Sequence, residues 1–260
     1  MHDSNTGTAS IKVQGTLNST PTIWALPEEV PIALQLNSAP YAVMMGTPAD
    51  LDDFATGFAL SEGLVKHGSH IRGILAMPSG DGFTLDIAVD EANIIREQMI
   101  FRTMEGRVGC GLCGVEEMVD AIRMPKAKLD APALSAMAIA RAFEALPQYQ
   151  PMNAVNRTVH AAAFCSVNGS ILLAREDVGR HNALDKLIGA MARQNMRPDG
   201  FVLMSSRCSF ELVQKCAIAG IGALATVSAP TALAHRLAKQ AGLKLAALSK
   251  QGVMMFDGDE

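Results

Sequence analysis

The stretch Arg175–Lys186 (REDVGRHNALDK) decides how the second half of this 260-residue chain is organised. It joins an apolar run typical of a strand to an amphipathic run typical of a helix. The alternation then continues, with helices and strands expected in turn over 182–194, 201–205, 210–221, 223–228, 231–241 and 243–248. Alternating helices and apolar strands predict a largely parallel sheet that is covered by helices on both faces.

A hairpin is expected just before this stretch. Asn168-Gly169 separates two apolar runs, 158–167 and 170–174. Asn-Gly is the strongest short hairpin signal because both residues tolerate positive φ. The hairpin and the alternating elements together indicate an α/β domain over residues 126–260, with Pro147–Pro151 as a linker inside it.

The first half of the chain predicts a smaller α+β domain over residues 22–125. Its strands are expected over 29–37, 41–45, 71–77 and 83–89. Between the two strand pairs, Thr47 is an expected N-cap and Pro48 the first residue of a helix that Gly63 closes. Residues 1–21 are polar and rich in Ser and Thr, which predicts a flexible tail or a short edge strand.

Composition excludes several classes of partner. The chain carries 26 acidic and 22 basic residues, a net charge of −4, so no broad basic surface for nucleic acid or an anionic membrane is expected. No apolar run is long enough to span a bilayer, and no secretory signal is visible. Five scattered cysteines favour reduced thiols and a cytoplasmic location over a disulfide framework.

Polar clusters follow the predicted strands of the second domain. Arg180 and His181 come after one strand, Ser206 and Arg207 after the next, and Ser228 after a third. In open α/β sheets, ligands bind beyond the carboxyl ends of the strands, and helix N-termini and Arg side chains both bind phosphate. These clusters therefore predict a pocket for an anionic or nucleotide-like ligand. The alternative is a set of salt-bridged, solvated helix starts.

A C-x-x-C pair lies in Gly109–Gly114 (GCGLCG), where three glycines surround Cys110 and Cys113. A thiol near cations and before a helix start has a lowered pKa and reacts more readily. Three interpretations of the C-x-x-C pair are open: a zinc site, a redox pair and a thiol that carries sulfur. A structural zinc site needs a second pair of ligands that is not visible, and a thioredoxin-like pair would follow the first strand of a βαβ unit. Zinc-deaminase chemistry would need a His-x-Glu motif. His160 is instead followed by Ala162 at the position where the glutamate would stand.

The remaining candidate residues carry weaker signals. His160 lies on a predicted strand and is either a satisfied core residue or part of the pocket. Cys165, Cys208 and Cys216 lie in apolar or helical settings, where buried structural thiols are the default. Of these three, Cys208 follows Arg207 at a helix start and is expected to be the most reactive.

Six segments together resemble the formate dehydrogenase accessory sulfurtransferase family (FdhD/NarQ). They are EVPI at 29–32, MGTPADL at 45–51, GFALSEG at 57–63, CGLCG at 110–114, EDVGRHNALDK at 176–186 and VSAPT at 227–231. The resemblance spans about residues 25 to 255. Its most specific part is the string at 176–186, whereas C-x-x-C by itself is common.

The resemblance implies a sulfur carrier with a C-terminal fold similar to cytidine deaminases but without the metal. Such a protein takes sulfane sulfur from a cysteine desulfurase and passes it to the molybdenum cofactor, Mo-bis(molybdopterin guanine dinucleotide), for formate dehydrogenase. It implies a homodimer, with GDP as an analogue of the cofactor. By position, Cys110 matches the persulfide cysteine and Cys113 the second thiol.

The resemblance also implies a cofactor-binding segment. This segment consists of Leu248, Ser249, Lys250, Gln251, Gly252 and Val253. We expect it to hold the cofactor together with the strand-end residues Arg180, His181, Ser206 and Arg207. The rival hypothesis is a non-catalytic chaperone that binds the cofactor and formate dehydrogenase without moving sulfur.

Overall fold

The structure is a computed structural model and describes residues 9–96, 122, 124–125 and 127–256. It begins with a two-stranded antiparallel hairpin, β1 (Ser10–Leu17) and β2 (Thr20–Pro27). Of the two alternatives predicted for residues 1–21, the short strand is the one seen over Ser10–Leu17, whereas residues 1–8 lie outside the described residues. The hairpin contacts the C-terminal domain, where the Arg157 guanidinium stacks over the Trp24 ring at 5.7 Å.

Over the described residues 28–96, the N-terminal domain contains a four-stranded sheet and one α-helix. Its strands are β3 (Val30–Leu36), β4 (Ala39–Gly46), β5 (Ile71–Ser79) and β6 (Gly82–Val89), in the order β4-β3-β6-β5. Asn37 and Ser38 adopt positive φ in the tight turn between β3 and β4, which confirms the predicted hairpin. Helix α1 (Leu51–Ser61) buries Phe54 and Phe58, one turn apart, against the inner face of this sheet.

Helix α1 begins later than the sequence predicted. Asp50, in the left-handed conformation, occupies the N-cap position that was expected for Thr47. Thr47 is completely buried, and its backbone and hydroxyl bond to the C-terminal domain instead. A tertiary contact thus replaced the local capping interaction.

The C-terminal domain is built from six strands and several helices within the described residues. In chain order they are α2 (Ala136–Ala145), α3 (Pro151–Asn156), β7 (His160–Cys165), β8 (Ile171–Asp177), α4 (Arg180–Arg193), β9 (Phe201–Met204), α5 (Phe210–Ile218), β10 (Ala223–Val227), α6 (Ala232–Ala241), β11 (Lys244–Ser249) and β12 (Gly252–Met255). The predicted linker at 147–151 is largely helical. Pro147 lies in the first turn of a 3₁₀ helix over Leu146–Tyr149, and Pro151 begins α3, because proline suits the first turn of a helix.

The six strands form one mixed sheet in the order β12-β11-β10-β9-β7-β8. The strands β9, β10 and β11 are parallel, whereas β7, β8 and β12 pair antiparallel with their neighbours. The expectation of a largely parallel sheet was therefore wrong. Two tight reversals account for the difference: the predicted Asn168-Gly169 hairpin, which is confirmed, and a turn at Lys250–Gln251 that precedes β12.

Alternate residues of the strands face two separate helical layers. Ala161 and Ala163 of β7 pack against α2, whereas Ala162 and Phe164 pack with α4, α5 and α6. This confirms the predicted α/β class, with an N-terminal α+β unit and a layered αβα domain. The likeness to cytidine deaminases stays a prediction. Among the described residues, no helix is long and apolar enough to cross a membrane.

The two domains meet where α1 crosses α4. A Cβ atom on Gly57 would lie 1.7 Å from the backbone oxygen of Asp185, and one on Gly189 would lie 1.9 Å from that of Asp53. No side chain fits at either position, so the two helix backbones contact each other directly. Glycine is required here by close approach rather than by backbone conformation.

Candidate functional site

One edge of the six-stranded sheet collects the predicted site residues. The parallel strands β9, β10 and β11 all end there, and β7, which runs the other way, begins there with His160. Backbone hydrogen bonds link the connecting loops: Val227 N to Ser206 O at 3.1 Å and Ser228 N to Leu248 O at 2.9 Å. The loops after these strands therefore form one continuous surface, which we call the strand-end surface.

The predicted cofactor-binding residues divide between this surface and the strand that follows. Four of them lie in the loops or first helical turns after β8 and β9: Arg180, His181, Ser206 and Arg207. Leu248 and Ser249 end β11, and Lys250 and Gln251 form the turn. Gly252 and Val253 begin β12. Their part in binding stays a prediction.

Much of the string at 176–186 holds the two domains together. The Lys186 ammonium is fully buried, 2.7 Å from Asp177 Oδ2, and donates to the backbone oxygen of Thr47 at 2.9 Å. Asp177 accepts hydrogen bonds from the backbone N–H groups of Thr47 and Gly179. The Asn182 side chain donates to Asp177 Oδ1 and to the backbone oxygen of Met45 in the N-terminal domain. Asp177, Asn182 and Lys186 are therefore committed to packing between the domains, whereas the anion pocket around Arg180 and His181 stays a prediction.

A second buried network joins α1, α4 and α5. Lys215 Nζ lies 2.9 Å from Asp185 Oδ2 and 3.2 Å from Glu62 Oε1, and the Ser61 hydroxyl donates to Asp185 at 2.6 Å. Burial lowers the pKa of Lys215, but the charges of Asp185 and Glu62 outweigh it and raise that pKa. The ammonium therefore stays charged inside the interface.

Two further residues of the 175–186 stretch have structural partners. The Arg175 guanidinium binds the Asp53 carboxylate of α1 at 2.7 Å. The Glu176 carboxylate accepts hydrogen bonds from the backbone N–H groups of Met152 and Asn153, and so caps the N-terminus of α3. Both are structural contacts of the kind expected for salt-bridged helix starts.

His160 is half-buried next to Arg180 and His181. Burial lowers its pKa most, and the charge of Arg180 lowers it further; Asp177 acts in the opposite direction, and His181 adds a smaller lowering. The imidazole is therefore neutral at neutral pH, when it can accept a hydrogen bond at one ring nitrogen.

This shift predicts a pH-dependent stability. Below about pH 6.5 the unfolded chain takes up a proton on His160 while the folded chain does not, so the free energy of unfolding falls as the pH drops through that value. A His160→Gln variant should show a shallower decline between about pH 7.5 and pH 5. Urea denaturation at several pH values measures this, with the exposed His67→Gln as control. Equal slopes for His160→Gln and wild type would contradict the assignment.

The described thiols are unreactive. Cys165, Cys208 and Cys216 are all buried, and burial raises the pKa of Cys165 and of Cys208 to about 12. The expectation that Cys208 is the most reactive of the three is therefore not supported, because burial outweighs its position before a helix. Cys110 and Cys113 lie outside the described residues.

Two polar residues of the strand-end surface were missed by sequence reasoning. Ser209 precedes α5 and Glu211 lies in its first turn, where Glu211 Oε2 is 3.7 Å from His181 Nε2. An acidic residue in the first turn of a helix is ordinarily explained by the helix dipole. Only the fold shows that Glu211 faces a histidine from another helix.

Comparison with known proteins identifies the family. The family model described as the FdhD/NarQ family matches residues 27–256. This chain belongs to the FdhD/NarQ family. The match spans both domains, including the Gly57–Gly189 crossing and the strand-end surface.

The relatives of this FdhD/NarQ chain agree with that assignment. It is 46% identical over 219 residues to the sulfur carrier protein FdhD of Bordetella petrii, covering 84% of this chain and 79% of the relative. It is 48% identical to that of Variovorax paradoxus, with the same coverage. A solved structure, that of a candidate formate dehydrogenase accessory protein from Desulfotalea psychrophila, is similar with a TM-score of 0.75. That match has 25% identity and covers 97% of this chain and 98% of the other.

Proposed function

We propose that this chain is a sulfur carrier that passes sulfane sulfur from a cysteine desulfurase to Mo-bis(molybdopterin guanine dinucleotide) for formate dehydrogenase. Family membership carries the proposal, since relatives 46% and 48% identical to the chain are named sulfur carrier proteins. The thiols support it by elimination. Three of the five cysteines are buried, which leaves Cys110 and Cys113 to react with a donor.

In this proposal, Cys110 and Cys113 transfer sulfur in two steps, uptake from the donor and release at the acceptor. The Cys110 thiolate attacks the terminal sulfur of the donor's persulfide, the donor's S–S bond breaks, and the donor leaves as a thiolate. At the acceptor, Cys113 attacks Cys110 and forms a disulfide, so the terminal sulfur leaves as sulfide with both electrons. Two equivalents of a small thiol then reduce the disulfide, leave as their own disulfide and restore both thiols of the carrier.

The strand-end surface supplies the acceptor site in this proposal. The first turns of α4 and α5 present backbone N–H groups, Arg180 begins α4 and Arg207 lies in the loop before α5, and such groups suit the phosphates of the dinucleotide. Ser206 and the 248–253 segment extend the surface toward β11 and β12. The proposal includes a homodimer working in the cytoplasm, with a cysteine desulfurase and formate dehydrogenase as partners.

The thiol assignment predicts a complete loss of function. A Cys110→Ala variant, incubated with a cysteine desulfurase and cysteine, should not gain the mass of one sulfur atom and should not restore formate dehydrogenase activity in cells that lack the carrier. Cys165→Ala, which alters a buried thiol, is the control and should behave as wild type in both assays.

Two results would contradict the proposal. If Cys110→Ala still gains sulfur while Cys113→Ala does not, the roles of the two thiols are exchanged. If the double variant restores formate dehydrogenase activity, the chain is a chaperone that binds the cofactor without moving sulfur. A GDP-binding titration of the wild-type protein tests the acceptor site separately.

A further inference from the structure

The hairpin of β1 and β2 forms a sheet of its own. Among the described residues, no third strand pairs with it, and its apolar side chains are open to solvent, with Ile11 50%, Leu17 54% and Trp24 37% exposed. A two-stranded hairpin is at best marginally stable in water and needs a further strand or a packed layer. The hairpin therefore has a physical reason to accept another strand.

The backbone hydrogen bonds define which groups of β1 face away from β2. Glu28 N donates to Ala9 O at 2.9 Å, and these two residues extend the register that pairs Ser10 with Pro27. Antiparallel pairs alternate between bonded and non-bonded, so the odd-numbered residues of β1 bond to β2. The even-numbered residues point their N–H and C=O groups away from it: Ser10, Lys12, Gln14 and Thr16.

The two outer edges of the hairpin differ in their donors. On β2, Pro21 and Pro27 stand opposite Thr16 and Ser10, at positions whose backbone faces outward, and proline has no N–H to donate. Proline on an edge strand is a natural device against pairing with another chain. β1 contains no proline and keeps a donor at every outward position. The edge of β2 is thus protected, and the edge of β1 is open.

We propose that β1 pairs with β1 of a second copy of this chain, antiparallel across a twofold axis at Gln14. The two hairpins then form one four-stranded sheet, and both copies use the same surface. The Asn156 side chain donates to Ser10 Oγ at 3.2 Å, which ties Ser10 to the C-terminal domain. The free run of β1 is therefore Ile11–Leu17, with Gln14 at its centre. The inference rests on the homodimer of the proposed function and adds its interface.

The apolar side chains agree with this register. Ile11 comes to lie opposite Leu17 of the second copy, and Val13 opposite Gly15. Residues that are directly opposite share one face of an antiparallel pair and contact each other. The half-exposed Ile11 and Leu17 therefore cover each other at both ends of the interface, and Val13 packs over a glycine that leaves it space.

The charge on β1 favours the same register. Lys12 is the only charged residue of Ser10–Leu17, and here it lies opposite Thr16 of the second copy. A register centred on Lys12 would place two ammonium groups opposite each other, which destabilises a strand pair. β1 also precedes residues 27–256, over which the chain matches its family model, so the interface is argued from the hairpin alone.

Analytical ultracentrifugation of the full-length protein over a range of concentrations tests the interface. Wild type should show a concentration-dependent equilibrium between monomer and dimer. Gln14→Pro removes an outward N–H and leaves the bonds to β2 in place. By symmetry the dimer loses two hydrogen bonds, so its dissociation constant should rise roughly 10- to 100-fold. Gln14→Thr keeps the N–H and suits a strand, so this matched control should dimerise like wild type.

Cysteine cross-linking tests the register. Directly opposite, hydrogen-bonded residues have Cα atoms about 5.5 Å apart, which a disulfide can span. Gln14→Cys, in a chain whose Cys110 and Cys113 are replaced by Ala, should form a disulfide-linked dimer under mild oxidation. Thr16→Cys is the control and should not, because in this register the two copies of residue 16 lie roughly 13 Å apart along the strands.

The outcomes separate this inference from the proposed function. If Gln14→Pro dimerises as tightly as wild type, the interface lies elsewhere and this inference fails while the homodimer stands. If wild type is monomeric at every concentration, both fail, and the sulfur chemistry tested on Cys110 is unaffected. Should Gln14→Pro fold poorly by circular dichroism, the cross-linking decides: a dimer through Gln14→Cys alone supports the proposal, and its absence, or a dimer through Thr16→Cys, overturns it.

Discussion

A Lys186→Met variant is expected to lose roughly 3–5 kcal/mol of the free energy of unfolding, because it leaves a buried carboxylate without its partner. Lys186 is 0% exposed and lies 2.7 Å from Asp177 Oδ2. It also satisfies the backbone oxygen of Thr47 in the other domain. The methionine has a similar volume but cannot donate to either group, so two acceptors lose their bond at once.

Chemical denaturation of the purified variant measures this loss. The control is Lys12→Met, at an exposed position on the hairpin, where a change within about 0.5 kcal/mol is expected. Domains are stable by only about 5–15 kcal/mol, so Lys186→Met should also lower the yield of folded protein. A loss below about 1 kcal/mol, the range of surface ion pairs, would show that Asp177 is not held in a dry interface.

A Gly57→Ala variant is expected to lose about 3 kcal/mol, at the upper end of the cost of overpacking. The added methyl group would lie 1.7 Å from the backbone oxygen of Asp185 and 2.7 Å from the backbone nitrogen of Gly189. Neither atom belongs to a flexible side chain that could turn away. The helices α1 and α4 must therefore separate, which stretches the ion pairs between Lys215, Asp185 and Glu62.

Gly73→Ala on β5 is the matched control. A Cβ atom there meets nothing within 4 Å, so the free energy of unfolding should change by no more than about 0.5 kcal/mol. Thermal and urea unfolding of the two variants distinguishes close contact from the general effect of replacing glycine. Equal losses for Gly57→Ala and Gly73→Ala would contradict a direct contact between the two helix backbones.

The separation between packing and binding residues could not be predicted from the motif. The string at 176–186 combines Asp177, Asn182 and Lys186, which join the domains, with Arg180 and His181, which lie on the strand-end surface. All five are polar and lie within ten consecutive residues, from the end of β8 to the second turn of α4. Which of them face the other domain depends on where α1 and the 45–47 segment pack. Those segments are far from the string in sequence, so the string alone does not specify the contacts.

Local signals predicted local features well. The Asn37-Ser38 and Asn168-Gly169 segments formed hairpins as expected, since a tight turn depends on the φ angles of its own residues, and Asn37, Ser38 and Gly169 have positive φ. Predictions that depended on partners were less successful. The helix start moved from Thr47 to Asp50, and β12 turned back along β11, because burial and pairing outweigh local preference.

The sequence by itself determined the family, the order of most strands and helices, and the C-x-x-C pair as the candidate for sulfur chemistry. These features are encoded by residue type and spacing within short segments. Only the tertiary structure decided that Cys208 is buried with a raised pKa, that Lys186 is paired inside the domain interface, and that His181 meets Glu211 across two helix starts. Burial and charge pairing are created by contacts between distant segments, so they exist only once the chain has folded.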